Sequence, residues 1–197
     1  MENNDIIKFK SIQDSGFKVL NFNKGFTLIE LIIYTALVGL IAVAVIGFAW
    51  NIINARIKNE AYQEVEQNLR FGMEKITQAI READDISTTD SVFNVSPGKL
   101  TLKYPNKDMI FDVSAKIINI GGQDVEIHKL RIKDGNNDSK DLTSNKVDII
   151  NFTLTNLTRG SEPKNIKIDL TIKHVNPTQN LKWAAEIFSE TAASIRK

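Results

Sequence analysis

No Asp, Glu, Lys or Arg occurs between Leu31 and Ala55. As a helix, these 25 residues would be roughly 37 Å long, enough to cross a hydrocarbon core of about 30 Å. No proline interrupts the chain from Phe26 to Ser96, so nothing forces the helix to stop at a membrane surface. Past the uncharged run, Ile53, Ile57, Ala61, Val65, Leu69 and Met73 recur every fourth residue. Ile76, Ile80 and Ala83 continue the stripe on spacings of three and four, while Glu60, Gln63, Glu64, Gln67, Arg70 and Glu74 occupy the other positions. The pattern predicts one helix over about 26–84. Its first half is apolar all round, and its second half carries a stripe that needs cover.

The cover is predicted to be a sheet. After Asp84-Asp85 the hydrophobic period changes from 3.6 to 2. Leu100, Leu102 and Tyr104 alternate with lysines and a threonine, and Ile166, Ile168, Leu170 and Ile172 alternate with Lys167, Asp169, Thr171 and Lys173. Further strands are expected at Met109–Val113, Lys116–Ile120, Asp124–Ile132 and Val147–Thr155. Turn chemistry separates them at Pro97-Gly98, Pro105-Asn106, Gly121-Gly122 and Asp134-Gly135. The alternation slips phase at His128-Lys129 and at Ile149-Ile150, which predicts a bulge in each strand. Residues 181–197 fit a helix by composition and a strand by the alternation Ile187, Ser189, Thr191, Ala193, Ile195; the strand is preferred. Short loops between neighbouring strands imply an antiparallel meander on the helix stripe, an α+β fold of two layers.

Charge and composition exclude several functions. Twenty-five Lys+Arg balance 24 Asp+Glu, and the basic residues do not cluster, so no nucleic-acid surface is indicated. With no cysteine, disulfides, thiolate metal sites and a cysteine nucleophile are ruled out. No phosphate-binding glycine loop or nucleophile elbow occurs, and no catalytic residues are assigned. His128 and His174 are the two histidines, and His174 is expected to pack, hydrogen-bonded, on the apolar face of its strand. Asp134, Asn136 and Asp138 open like a calcium loop, but Ser139 stands where the loop needs glycine and Asn145 where it needs glutamate. A solvated turn is the preferred reading, and no cofactor is expected.

Glu30 is the anomaly. Its carboxylate stands at the head of the apolar run, where a charge is costly and usually functional. A cut between Gly25 and Phe26 would expose an α-amino group, largely cationic at neutral pH. That amine would lie four residues, one helical turn, before Glu30. Glu30 would also sit near the unsatisfied N–H groups and positive dipole end of the helix. Two unit charges 4 Å apart attract by about 4 kcal/mol at an effective dielectric near 20. The penalty for a charge at the centre of a membrane helix is roughly 3 kcal/mol. Lys10, Lys18 and Lys24 before the run, and Arg56, Lys58 and Arg70 after it, leave orientation undecided by charge alone.

"KGFTLIELII" (Lys24–Ile33) resembles the processing signal of type IV prepilins and of the pseudopilins of type II secretion. Those families have a basic residue, a glycine, a hydrophobic new N-terminus and a glutamate, here Lys24, Gly25, Phe26 and Glu30. The resemblance implies cleavage after Gly25 by a prepilin peptidase on the cytoplasmic side and N-methylation of Phe26. It implies a leader over 1–25, a transmembrane and filament-core helix over 26–55, an amphipathic continuation over 56–84 and a β-rich globular domain over 85–197. It further implies a cytoplasmic N-terminus, an external C-terminal domain and partnership with membrane lipid, an assembly platform and other pilin subunits. Glu30 would meet the Phe26 amine of a neighbouring subunit. "LRFGMEKITQAIREADDI" (Leu69–Ile86) and "SETAASIR" (Ser189–Arg196) are similar to J-type minor pseudopilins and related minor pilins. The chain departs from many pilins in lacking a helix-kinking proline and a C-terminal disulfide loop. Two other readings of the apolar run stay open: a plain anchor for a monomeric binding or enzymatic domain, and an ordinary signal peptide cut at Ala42-Val43-Ala44.

Overall fold

The computed structural model describes residues 25–160, 164–176 and 183–196. Lys24 and the rest of the expected leader before Gly25 lie outside the described residues. The chain divides into two units, Met1–Ile46 and Gly47–Lys197.

A single helix, α1, occupies Leu28–Glu82. It is two residues shorter at each end than the hydrophobic pattern predicted, and backbone pairing shows why. Thr27 caps the start, with its carbonyl accepting from Leu31 N–H at 3.1 Å. At the other end Ala83 N–H still reaches Ala79 O at 3.0 Å, but Asp84 N–H donates to Lys103 O at 2.8 Å. The sheet therefore takes over the backbone where the helix stops. In the first unit the helix buries none of its most apolar window, which is long enough to cross a membrane; Leu40 and Val43 are about 70% exposed. Thr35, polar within this run, hydrogen-bonds back to Leu31 O and Ile32 O, both at 3.0 Å.

In the second unit the helix buries Ala61, Val65, Leu69, Gly72, Met73, Ile76, Ala79 and Ile80. Cover therefore begins at Ala61, while Ile53 stays exposed. Ala61, Val65 and Leu69, in the part of the stripe nearest the apolar run, are covered by the chain's own sheets. Gly72 and Ala79, absent from the predicted stripe, join it because they are small. A Cβ on Gly72 would lie 3.0 Å from Leu130 Cδ2.

The strands are β1 (Asp85–Ile86), β2 (Leu100–Tyr104), β3 (Lys107–Ile120), β4 (Gln123–Asp134), β5 (Lys140–Asp141), β6 (Val147–Asn156), β7 (Asn165–His174) and β8 (Glu186–Ser194). All pairings are antiparallel between consecutive strands. Two sheets form rather than one meander, β1 to β5 and β6 to β8. At the seam, side chains replace a strand ladder. His128 N–H donates to the Asp148 carboxylate at 2.7 Å and Leu130 N–H to Thr143 Oγ1 at 3.3 Å. Both sheets nevertheless share one core with the helix, with Leu102, Phe111 and Leu130 from the first and Phe152, Leu154 and Ile168 from the second. The layered α+β fold holds.

The two segments expected at 109–113 and 116–120 are one strand. They turn into β4 at Gly121-Gly122, where φ is 61° and 87°, a two-residue hairpin that favours glycine. The bulge predicted at Ile149-Ile150 is present, as the register shifts between Ile149 and Asn151. The one predicted at His128-Lys129 is absent, because β3 and β4 pair without interruption from Met109↔Asp134 to Ile120↔Gln123. The phase slip has another cause. Both faces of β4 are covered locally, so Leu130 is buried on one side and Ile127 and Lys129 on the other. Lys129, only 2% exposed, donates to Asn145 Oδ1 at 3.0 Å, and burial pulls its pKa down against nearby Asp141.

Candidate functional site: the N-terminal helix start

Gly25, Phe26 and Thr27 lead into α1 without helical structure. Phe26 is 73% exposed, and its ring meets Tyr34 edge-on at 6.0 Å. A Cβ added to Gly25 would touch nothing among the described residues within 4 Å. Packing among the described residues therefore gives no reason for a glycine there.

Thr27 is a residue the sequence reading passed over. Glu30 N–H donates to Thr27 Oγ1 at 3.3 Å, while Thr27 N–H and Oγ1 each lie 3.5 Å from Glu30 Oε2. This reciprocal arrangement is a capping box, which satisfies orphan donors at a helix start. Its signal was legible, because Thr27-Leu28-Ile29-Glu30 has the threonine and glutamate three apart before an apolar run. The capping contacts to Oε2 are long. Among the described residues Glu30 has no ion-pair partner. The carboxylate stands at the positive end of the helix dipole, loosely held and with no cation among the described residues.

The remaining sequence candidates fall elsewhere. Asp134 ends β4 with Lys107 Nζ 2.7 Å from Oδ1 and 2.8 Å from Oδ2, so an ammonium pairs with this carboxylate. Asn136 and Asp138 are exposed in the following turn. Among the described residues no group of three or more His, Asp or Glu could hold a metal. The histidines have separate partners. His128 Nδ1 lies 3.2 Å from Asp148 Oδ1, and His174 stacks on Trp183 with centroids 5.4 Å apart. The buried His174 Nδ1 has no geometric hydrogen-bond partner among the described residues, while the ring feels a hydrogen bond with the Val175 backbone, which favours its protonated form.

The family model for the prokaryotic N-terminal methylation motif matches residues 20–46. Neither the curated proteins nor the solved structures contain a match to the chain. The exposed Gly25-Phe26 bond, the carboxylate one turn later and the first part of the apolar helix behind it lie in the matched segment. The chain carries, over residues 20–46, the N-terminal methylation motif that is the signature of type IV pilins and pseudopilins.

Proposed function

We propose that the chain is a structural subunit, a minor pilin or pseudopilin, of a type IV pilus or a type II secretion pseudopilus, and not an enzyme. A prepilin peptidase reads Lys24 and Gly25, hydrolyses the Gly25–Phe26 bond on the cytoplasmic side, and the Phe26 amine is methylated. The helix holds the subunit in the inner membrane with its C-terminal domain outside. On extraction into the filament, the Glu30 carboxylate of one subunit takes the Phe26 ammonium of its neighbour.

One observation carries this reading: a carboxylate with no cation among the described residues, at the head of a helix whose apolar side chains from Leu28 to Ile53 are exposed. An unpaired charge in lipid is costly, and a second subunit supplies both the cation and apolar cover. A monomeric anchored domain would explain the apolar helix but leave Glu30 with only a loose cap.

Filaments sheared from cells that express a tagged chain test the proposal. The subunit is expected in the filament fraction together with other pilins. Its confinement to the membrane fraction, in cells whose other pilins assemble, would overturn the proposal and favour the anchored monomer.

A further inference from the structure

β8 pairs with β7 along one edge and, among the described residues, with no strand along the other. Which backbone groups face the open edge follows from two hydrogen bonds. His174 N–H donates to Ala185 O and Ile195 N–H to Lys164 O, so the odd-numbered residues of β8 exchange hydrogen bonds with β7. Glu186, Phe188, Glu190, Ala192 and Ser194 therefore turn their N–H and C=O groups away from it. The open edge faces the side of α1, because Arg196 N–H, next in that series, reaches Arg81 O at 3.3 Å.

Between this edge and the flank of α1 runs a groove of about 910 Å³, lined by Leu69, Met73 and Ile187 together with the helix side chains Glu66, Arg70 and Glu74. Phe188 stands at its lip, 57% exposed, flanked in the strand by Glu186 and by Glu190, which lies 3.4 Å from Lys167 Nζ and is half-exposed beyond that pair. Unpaired strand edges bind extended backbone, and alternate side-chain positions give specificity. The geometry points to an acceptor site for one extended strand of another polypeptide, which adds to β8 as a fourth strand of the second sheet. The side chains on its inner face are apolar, over Leu69 and Met73. Those on its outer face run basic, apolar, basic opposite Glu186, Phe188 and Glu190. A second copy of β8 is the poorer occupant, since an antiparallel pair centred on Glu190, or one centred on Phe188, sets glutamate against glutamate. The inference is independent of N-terminal processing.

The probe is a capped peptide, Thr-Lys-Ile-Val-Leu-Lys-Thr, added to the full chain in detergent micelles, with amide exchange read by NMR. Exchange is expected to slow at Phe188, Glu190 and Ala192, with little change at Ile187 and Ser189, whose amides already bond β7. A peptide with glutamates for both lysines should bind roughly tenfold more weakly. The exposed double variant Glu186→Lys/Glu190→Lys should reverse that preference. N-methylation of the peptide's alternate, edge-facing amides should abolish binding. No binding, protection without the alternation, or an N-methylated peptide that binds as well would each overturn the inference.

Discussion

Glu30 caps the helix start and, in the proposed function, also pairs with an amine; the two uses can be separated. Capping needs only an acceptor, so glutamine serves; pairing with an amine needs the charge. Glu30→Gln is expected to keep the helix start and be cleaved normally yet fail to enter filaments, and Glu30→Ala to fail likewise with a frayed first turn. Immunoblots of sheared filaments and of processed precursor check this; normal incorporation of Glu30→Gln would reduce the carboxylate to a cap. His174 gives a second residue-scale test, in the folded domain. Burial lowers its pKa below the ordinary 6.5, outweighing the Val175 backbone contact and the attraction of Glu64. The unfolded chain then takes up its proton first, so stability falls as pH drops below about 6.5. His174→Phe, which keeps a ring against Trp183, should flatten that part of the curve of unfolding midpoint against pH. A second decline belongs to Glu64. Burial would raise its pKa, but hydrogen bonds from Ser144, Asn68 and Lys146 lower it below 4.5. That contribution is present above pH 4.5 and is lost as pH falls through the lowered value.

At the scale of elements, Asp148 does the work of a missing strand. Its carboxylate, 8% exposed, accepts the His128 N–H and lies 3.4 Å from Lys173 Nζ. Asp148→Ala leaves a backbone donor unpaired at the seam and should cost about 1–3 kcal/mol, seen in chemical denaturation of the domain. A neutral result would mean water satisfies that edge. The seam also marks how far the sequence could be read. Strands with one buried face announce themselves by alternation, as β7 and β8 did, and the slip at Ile149-Ile150 was a true bulge. Where cover lies on both faces, as at Ile127 and Lys129, alternation fails without any bulge. The division into two sheets was illegible because it rests on side chains, Asp148 and Thr143, standing in for a ladder. Gly72 escaped for a similar reason, since a glycine has no hydrophobicity to add to a stripe and matters only where Leu130 comes close.

For the whole molecule, the helix and its motif could be read directly, because 25 uncharged residues and a displaced carboxylate admit few physical settings. Thr27 shows what was missed even there: a local reason for Glu30 that coexists with the longer-range one. Both reasons act on a chain whose apolar helix and folded domain have different needs, lipid or neighbouring helices for the first and its own two sheets for the second. The proposed assembly depends on the new amine at Phe26. The most direct measurement is mass spectrometry of the N-terminus of the purified full-length product from cells with and without a prepilin peptidase. N-methyl-phenylalanine at Phe26 is expected with the peptidase, and the intact leader without it. A chain that keeps Met1 in the presence of an active peptidase, or that starts at Val45, would contradict the account.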